Sequence, residues 1–240
     1  MTFRAVTYNM HKGRSFWLRS YKLDGIKNLL ASLGVDIIFL QEIHGKHPKN
    51  YSASNHPLEH IADHIWPFHQ YGKNSEYQRG HHGNGILSKY PITFSENIDI
   101  SESRFAKRGL LHVKLDIPSL RAPLHLLCVH LDLFEVSRQR QASHIVQRIE
   151  EAIPSDEPLL LAGDFNDWRH ALADPLKEAN IVELNNCQSL KTFPSLVPTV
   201  NLDRFYYRGL LLKEATVIKG KEWKWLSDHL PLQATFEYQP

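Results

Sequence analysis

Four short apolar runs, each with a polar residue at or just past its end, constrain this chain more than any other feature. They are residues 3–9 (FRAVTYN), 36–41 (DIIFLQ), 124–131 (LHLLCVHL) and 158–162 (PLLLA). Such runs are too short for core helices and read as strands, the last three as buried ones. Two other segments carry helical spacing. Leu23, Ile26, Leu29, Leu30 and Leu33 repeat along residues 22–33, and Gly34 supplies a stop. Ile145, Val146, Ile149, Ala152 and Ile153 form a second stripe, with Ser137 as its expected N-terminal cap.

Residues 110–116 alternate, with Leu111, Val113 and Leu115 set against His112, Lys114 and Asp116. That predicts a half-buried strand. A short ILS strand ahead of a Pro-marked turn, and strands at 202–207 and 232–238, complete the set. Many strands with few helices, some adjacent and some separated by a helix, predict an α/β sandwich of mixed sheets rather than a doubly wound sheet. Neither GxGxxG nor GxxxxGK[ST] occurs, which removes the dinucleotide and P-loop readings.

At 240 residues the chain is long enough to bury roughly 70–75% of its unfolded surface without a disulfide or metal staple. No repeat or Gly/Ser-rich linker divides it, so one domain over residues 1–240 is expected. Its 42% hydrophobic and 22% charged residues exclude collagen-like and disordered classes. No apolar run reaches the roughly 18–20 residues of a membrane-spanning helix, and the opening MTFRAVTYNMHKG lacks the apolar stretch of a signal peptide. With only Cys128 and Cys187, a reduced, cytoplasmic setting is expected. A formal net charge of +2 argues against a strongly electrostatic grip on long nucleic acid.

The polar residues fall where the apolar runs stop. Asn9 ends the first run, Gln41 and Glu42 the second, His130 a central one, and Gly163-Asp164-Phe165-Asn166 another. Asp203 sits beside a fifth strand, and Ser227-Asp228-His229 precede the last. Singly, each has a bland explanation: an Asp after a strand is usually a turn or cap residue. Together they predict one rim at which unpaired polar groups need each other, a metal or a substrate.

In this order, Tyr8-Asn9-Met10-His11, Leu40-Gln41-Glu42, Gly163-Asp164-Phe165-Asn166, Leu202-Asp203-Arg204 and Ser227-Asp228-His229-Leu230-Pro231 resemble the motifs of the endonuclease/exonuclease/phosphatase superfamily. The resemblance runs from Asn9 to Pro231. The strings NMHKG, GHHGNGILSKYPI, KRG and AGDFNDWR further resemble its bacterial YbhP-like subgroup. The resemblance implies a DNase I-like, four-layer α/β/β/α sandwich of two mixed sheets flanked by helices. It also implies divalent-metal hydrolysis of a phosphoester, with Mg²⁺ or Mn²⁺ as cofactor. Glu42 would be the main metal ligand, with Asn9 and Asp228 beside it. Asp164 and Asn166 would position water or stabilise the transition state, His229 and Asp203 would form a His–Asp pair, and His130 would donate to a phosphoryl oxygen.

The chemistry is consistent with those roles. Carboxylate oxygens suit a hard ion that keeps several waters, and an imidazole held by a carboxylate has its tautomer fixed for proton transfer. His11 departs from the abasic-site endonucleases, which carry Asp there; it lowers the negative charge available to a second metal and is a candidate phosphate donor. Asp132 stands where relatives often show glycine.

Secondary candidates each have a rival reading. Arg108 is a candidate phosphate clamp or a solvated turn residue. Asn84 is a candidate substrate ligand or a turn residue with positive φ. Arg204 is a candidate for substrate or for pairing with a carboxylate. His60 and His64 have zinc-compatible spacing but no third ligand, so a solvated helix is favoured. His81 and His82 are expected in a loop, and Cys128 in the core. The loops holding Phe16-Trp17-Leu18-Arg19 and Trp223-Lys224-Trp225-Leu226 are candidates to meet a base, a lipid surface or only the core. The substrate reading therefore divides between phospholipid or headgroup phosphodiesters and nucleic acid. A silent binding module, the alternative of another class, is opposed by the presence of Glu42, Asp164, Asn166, Asp203, Asp228 and His229 together.

Overall fold

The computed structural model describes residues 1–13, 23–45, 56–63, 65–77, 80–103, 106–184 and 189–238. Trp17, His64 and Cys187 lie outside them. Two six-stranded sheets are formed. The first contains β1 (Thr2–Asn9), β2 (Ile37–His44), β3 (Phe68–Tyr77), β4 (Gly80–Ser88), β11 (Leu210–Val217) and β12 (Leu232–Tyr238), in the order β11-β12-β1-β2-β4-β3. The second contains β5 (Ile92–Asp99), β6 (Gly109–Leu115), β7 (Leu124–His130), β8 (Leu159–Asp164), β9 (Val182–Glu183) and β10 (Asp203–Arg208), in the order β5-β6-β7-β8-β10-β9. Helices α1 (Leu23–Ser32), α2 (Pro57–Ala62), α3 (Glu135–Ala152), α4 (Ala173–Lys177) and α5 (Trp223–Leu226) flank them.

The central strands are apolar throughout because both their faces are covered. Leu23, Ile26 and Leu30 of α1 share one cluster with β1 and β2, and that cluster continues into Val113, Leu126, Cys128, Ala162 and Phe205 of the second sheet. Between the sheets, Phe39 meets Phe205 edge-on, centroids 6.0 Å apart at 81°. A second cluster joins Leu127, Val129, Leu161 and Tyr206 to Ala142, Ile145 and Ile149 of α3. The layers are therefore helix, sheet, sheet and helix.

Three expectations change. Strand β6 is not half-buried: His112, on its polar face, is completely buried under α3. Helix α3 starts two residues before Ser137, with Phe134 at the cap position and no side-chain cap bond. The polar strands β3, β5 and β11 were not anticipated; all three are sheet edges, where one side faces solvent and no apolar run is needed. Strand β4, between β2 and β3, extends from the expected ILS back through residues 80–85, where pairing with β3 rather than an apolar run sustains it.

Register then converges the strand ends. Parallel pairing sets Asn9 beside Gln41 and His130 beside Asp164. Antiparallel pairing sets Asp203, the first residue of β10, opposite Asp164.

The buried face of β6 carries a directed hydrogen-bond chain. The Arg148 Nε–H donates to His112 Nδ1 at 3.1 Å, so His112 must donate from Nε2 to His125 Nδ1, 2.9 Å away. His125 in turn donates to Glu157. Burial above all, then His125 and Arg148, push the His112 imidazole from 6.5 down to about 3. The unfolded chain thus binds a proton below pH 6.5 that the folded chain refuses until about 3. Stability is full above that window and falls as pH drops through it, by ~1.4 kcal/mol per pH unit. Denaturant titrations at pH 7 and pH 5 should differ by about 2 kcal/mol more in the native chain than in His112→Gln. Equal differences in the two proteins would remove His112 as the cause.

Candidate active site

Glu42 is not the end residue of β2, as its sequence context suggested. β2 pairs with β4 regularly as far as Leu40 opposite Gly85, then resumes at Ile43 opposite Gly83. Two residues, Gln41 and Glu42, thus face one residue of β4, which is a β-bulge. Glu42 occupies the left-handed region at φ 57°. The bulge turns its carboxylate into the cleft. Asn166 and His11 also have positive φ, 50° and 44°. Such conformations persist only where the surroundings hold them. Gly163, at φ 152°, lies so close to the Val129 backbone that any Cβ would collide, which keeps β8 tight against β7 just before Asp164.

One oxygen is the focus of the arrangement. Asp164 Oδ2 accepts the Asn9 Nδ2–H at 2.9 Å and lies 3.6 Å from both His130 Nε2 and His229 Nε2. Its other oxygen accepts the Asn166 backbone N–H at 3.0 Å. His229 Nδ1 lies 2.7 Å from Asp203 Oδ2. On the other side His130 Nδ1 lies 4.0 Å from Glu42 Oε1, and His11 Nδ1 lies 3.3 Å from Asp228 Oδ1. The Ser227 hydroxyl fixes the last loop by donating to the Asn9 carbonyl at 2.7 Å.

Burial and charge set opposite protonation states within this cluster. Burial alone would lower His229, but Asp203, Asp164 and Asp228 outweigh it and raise the imidazole to about 10. Burial raises the Asp164 carboxyl. His130 goes the other way, held neutral by burial and by Arg108, His229 and His82. Burial would raise Asp228, yet the His11 hydrogen bond and the His229 and His11 charges bring it below its ordinary value.

A cavity of about 540 Å³ opens on these groups. Asn9, His11, Glu42, Arg108, His130, Asp164, Asn166, Asp228 and His229 line it; Asp203, which stands behind His229, and Asn84 do not. Asn84 is fully buried in β4, not in a positive-φ turn, and its Nδ2 donates to the Gly109 and Cys128 carbonyls at 2.9 and 3.2 Å. Arg108 reaches the cavity with a buried Nε that has no hydrogen-bond partner. Arg204 pairs instead with Asp167 at 3.2 Å. His60 bonds Asp24, and His81 bonds the Tyr71 hydroxyl from within β4, not from a loop. Asp132 is buried and accepts the Phe134 backbone N–H. Trp223 is core, edge-on to Tyr8, whereas Trp225 is 43% exposed. The sequence reading missed the apolar lining of Leu133, Trp168, Phe193, Val200 and Leu202. Only the nearness of Trp168 to the Asp164 motif hinted at it.

Among the described residues, one His/Asp group has its ligand atoms within 4.8 Å of one another: Asp164, Asp203 and His229. Those atoms are close because His229 bridges the two carboxylates, not because they surround a hole. Glu42 and Asp228 are better suited to a cation. Both line the cavity, and among the described residues neither has a Lys or Arg partner. Their oxygens, with the side-chain oxygen of Asn9, make the hard donor set that Mg²⁺ or Mn²⁺ prefers.

A profile described as "Endonuclease/Exonuclease/phosphatase family" matches residues 6–229. The chain is 37% identical over 243 residues to "Uncharacterized protein YbhP" of Escherichia coli (strain K12), spanning 97% of this chain and 95% of that protein. The structure of the endonuclease/exonuclease/phosphatase from Bacteroides vulgatus superposes with a TM-score of 0.78 at 17% identity over 100% of both chains. That of D. rerio TDP2 complexed with single strand DNA product superposes with a TM-score of 0.71 at 20% identity, covering 98% of this chain and 99% of that one. These two likenesses establish a shared fold.

Proposed function

The chain belongs to the Endonuclease/Exonuclease/phosphatase family, and from that premise we propose that it is a divalent-metal-dependent phosphodiesterase. The observation that carries this reading is the meeting of Asn9, His130 and His229 on one buried Asp164 oxygen, beside a cavity that Glu42 and Asp228 also line.

A phosphodiester is anionic and resists attack, so hydrolysis depends on positioning and on charge stabilisation. Glu42 and Asp228, with Asn9, would hold Mg²⁺ or Mn²⁺, which when bound neutralises phosphoryl charge and lowers the pKa of coordinated water. Asp164, fixed by Asn9 and by the Asn166 backbone, orients the attacking water. Asn166 lines the same part of the cavity, its Nδ2 held by the Leu131 carbonyl at 3.0 Å. His229 is kept protonated by Asp203 and donates from Nε2 to the charge that develops on the phosphoryl group. His130, neutral, supplies a further N–H donor. The open guanidinium edge of Arg108 suits a second phosphoryl oxygen, and His11 sets the orientation of Asp228. Asn84 acts indirectly, by holding the Gly109 carbonyl next to Arg108.

The test is a parallel screen of the purified protein with Mg²⁺, with Mn²⁺ and with chelator. Its substrates are plasmid DNA, abasic duplex, phospholipid diesters, inositol phosphates and a generic soluble diester. Metal-dependent turnover of a diester is expected. Turnover unaffected by chelator, or confined to monoesters, would overturn the proposal; turnover confined to DNA would make the protein a nuclease of the same mechanism.

A further inference from the structure

Leu133 and Trp168 line the cavity and are also strongly exposed, at 57% and 47%. Together with Phe134 and Val136 they stand 47–74% exposed, an unusual concentration of bare apolar side chains at the mouth of a polar site. The segment is held in this position. Arg138, only 1% exposed, donates from Nη1 to the Asp132 and Leu133 carbonyls, at 3.3 and 2.6 Å, and its guanidinium lies 5.0 Å from the centre of the Trp168 ring. Asp132 Oδ1 accepts the Phe134 N–H, and the Asp132 N–H is taken by Gln141 Oε1. Burying a guanidinium is costly, and here its hydrogen bonds serve to hold the backbone from which Leu133 and Phe134 project.

Two arginines beside this segment are paired with carboxylates. Arg169 pairs with Glu135, and Arg140 with Glu102, each at 3.4 Å. A nucleic-acid surface needs cations free to neutralise phosphates, and π faces for bases. Phe134 and Trp168 offer π faces, but Leu133 and Val136 between and beside them do not, and the described arginines flanking the patch are paired. An apolar, charge-neutral projection fits the boundary between headgroups and acyl chains.

We propose that residues 133–136 with Trp168 form a membrane-docking prow, which enters the interfacial layer of a phospholipid bilayer and brings a lipid phosphodiester to the cavity. The lipid-substrate part rests on the phosphodiesterase reading above; the docking part does not.

The docking part is tested with the full-length Glu42→Ala protein, which under that reading cannot consume the lipid. It is sedimented with vesicles of equal parts phosphatidylcholine and phosphatidylglycerol. Partition should fall about tenfold or more when Phe134→Ser and Val136→Ser are added, as expected for removing two inserted apolar side chains. It should change little between about 0.1 and about 1 M salt, where screening tightens from about 10 to about 3 Å. In the otherwise native chain the same double variant, whose changes lie outside the cavity lining, should keep turnover of a small soluble diester and lose turnover of a vesicle-borne one.

Absence of vesicle binding, equal partition of the two proteins, or salt-sensitive capture of single-stranded oligonucleotide in place of vesicles would overturn the prow. Equal loss on both substrates would also overturn it, showing that these side chains shape the site. Vesicle binding by a protein that hydrolyses no diester would leave the prow standing and bring down the phosphodiesterase reading alone.

Discussion

Glu42→Ala should lower metal-dependent diester turnover by roughly 10³-fold or more, about 4 kcal/mol of lost transition-state stabilisation. The effect is large because, of the three acidic side chains among the described residues that line the cavity, Glu42 and Asp228 stand apart from the Asp164–His229–Asp203 cluster. Neither Asp164 nor Asp203 can replace it, since His229 lies between them. The fold should be unaffected. Glu42 sits on a bulge at φ 57°, makes no side-chain hydrogen bond within the sheet among the described residues, and is partly open to the cleft. Thermal unfolding of the variant should therefore overlay that of the native protein while turnover with Mg²⁺ or Mn²⁺ disappears. Near-native turnover would mean that the hard-cation donors lie elsewhere.

His229→Ala should cost roughly 10²–10⁴-fold in kcat with little change in KM, the range expected for a positioned proton donor. Removing the imidazole has a second consequence. Asp203 Oδ1 is already buried without a partner, and the variant would leave the Oδ2 side of the same carboxylate unpaired as well. The variant should therefore also lose stability, on the order of 1–3 kcal/mol. Asp203→Asn separates the two effects, because it keeps a hydrogen-bonding partner for Nδ1 but removes the charge that holds the imidazole protonated. If donation matters, Asp203→Asn should share most of the kcat loss of His229→Ala, and the double variant should be no worse than the more damaging single one. A rise in KM alone, or strict additivity, would contradict the paired role.

Much of this was legible in the sequence because buried strands and the groups at their ends obey simple rules. The runs at 36–41, 124–131 and 158–162 had to be apolar on both faces, and their polar stops marked the rim at which His130 and Asp164 meet Asn9 from the end of β1 and Asp203 from the start of β10. Less visible was anything that depends on partners distant in sequence. His112 alternates with Leu111 and Val113 as a solvent-facing residue would, because nothing local announces that Arg148 and His125 will cover it. Gln41 and Glu42 follow an apolar run like ordinary terminal residues, and only pairing with β4 shows the bulge. Asn84 looked like a ligand from its glycine-flanked context, yet its amide is used in joining β4 to the second sheet. The exposed edge strands carried no pattern to read. The apolar mouth was missed for a related reason: isolated Leu, Val and Trp residues are indistinguishable from core until their exposure is known.

The Asn9 amide belongs to one sheet and the Asp164 carboxylate to the other, and His229, in the loop that leads into β12 of the first sheet, meets Asp203 of the second. Neither sheet owns a complete set of reactive groups; the set exists only along the seam. Ladder hydrogen bonds keep each half internally rigid but do nothing to fix the gap between the halves, which is governed by side chains such as Phe39 and Phe205 deep in the interior. The reactive groups thus act as a gauge of that gap, and a change in the thickness of the filling would be felt first as misalignment at the seam, with both ladders still intact.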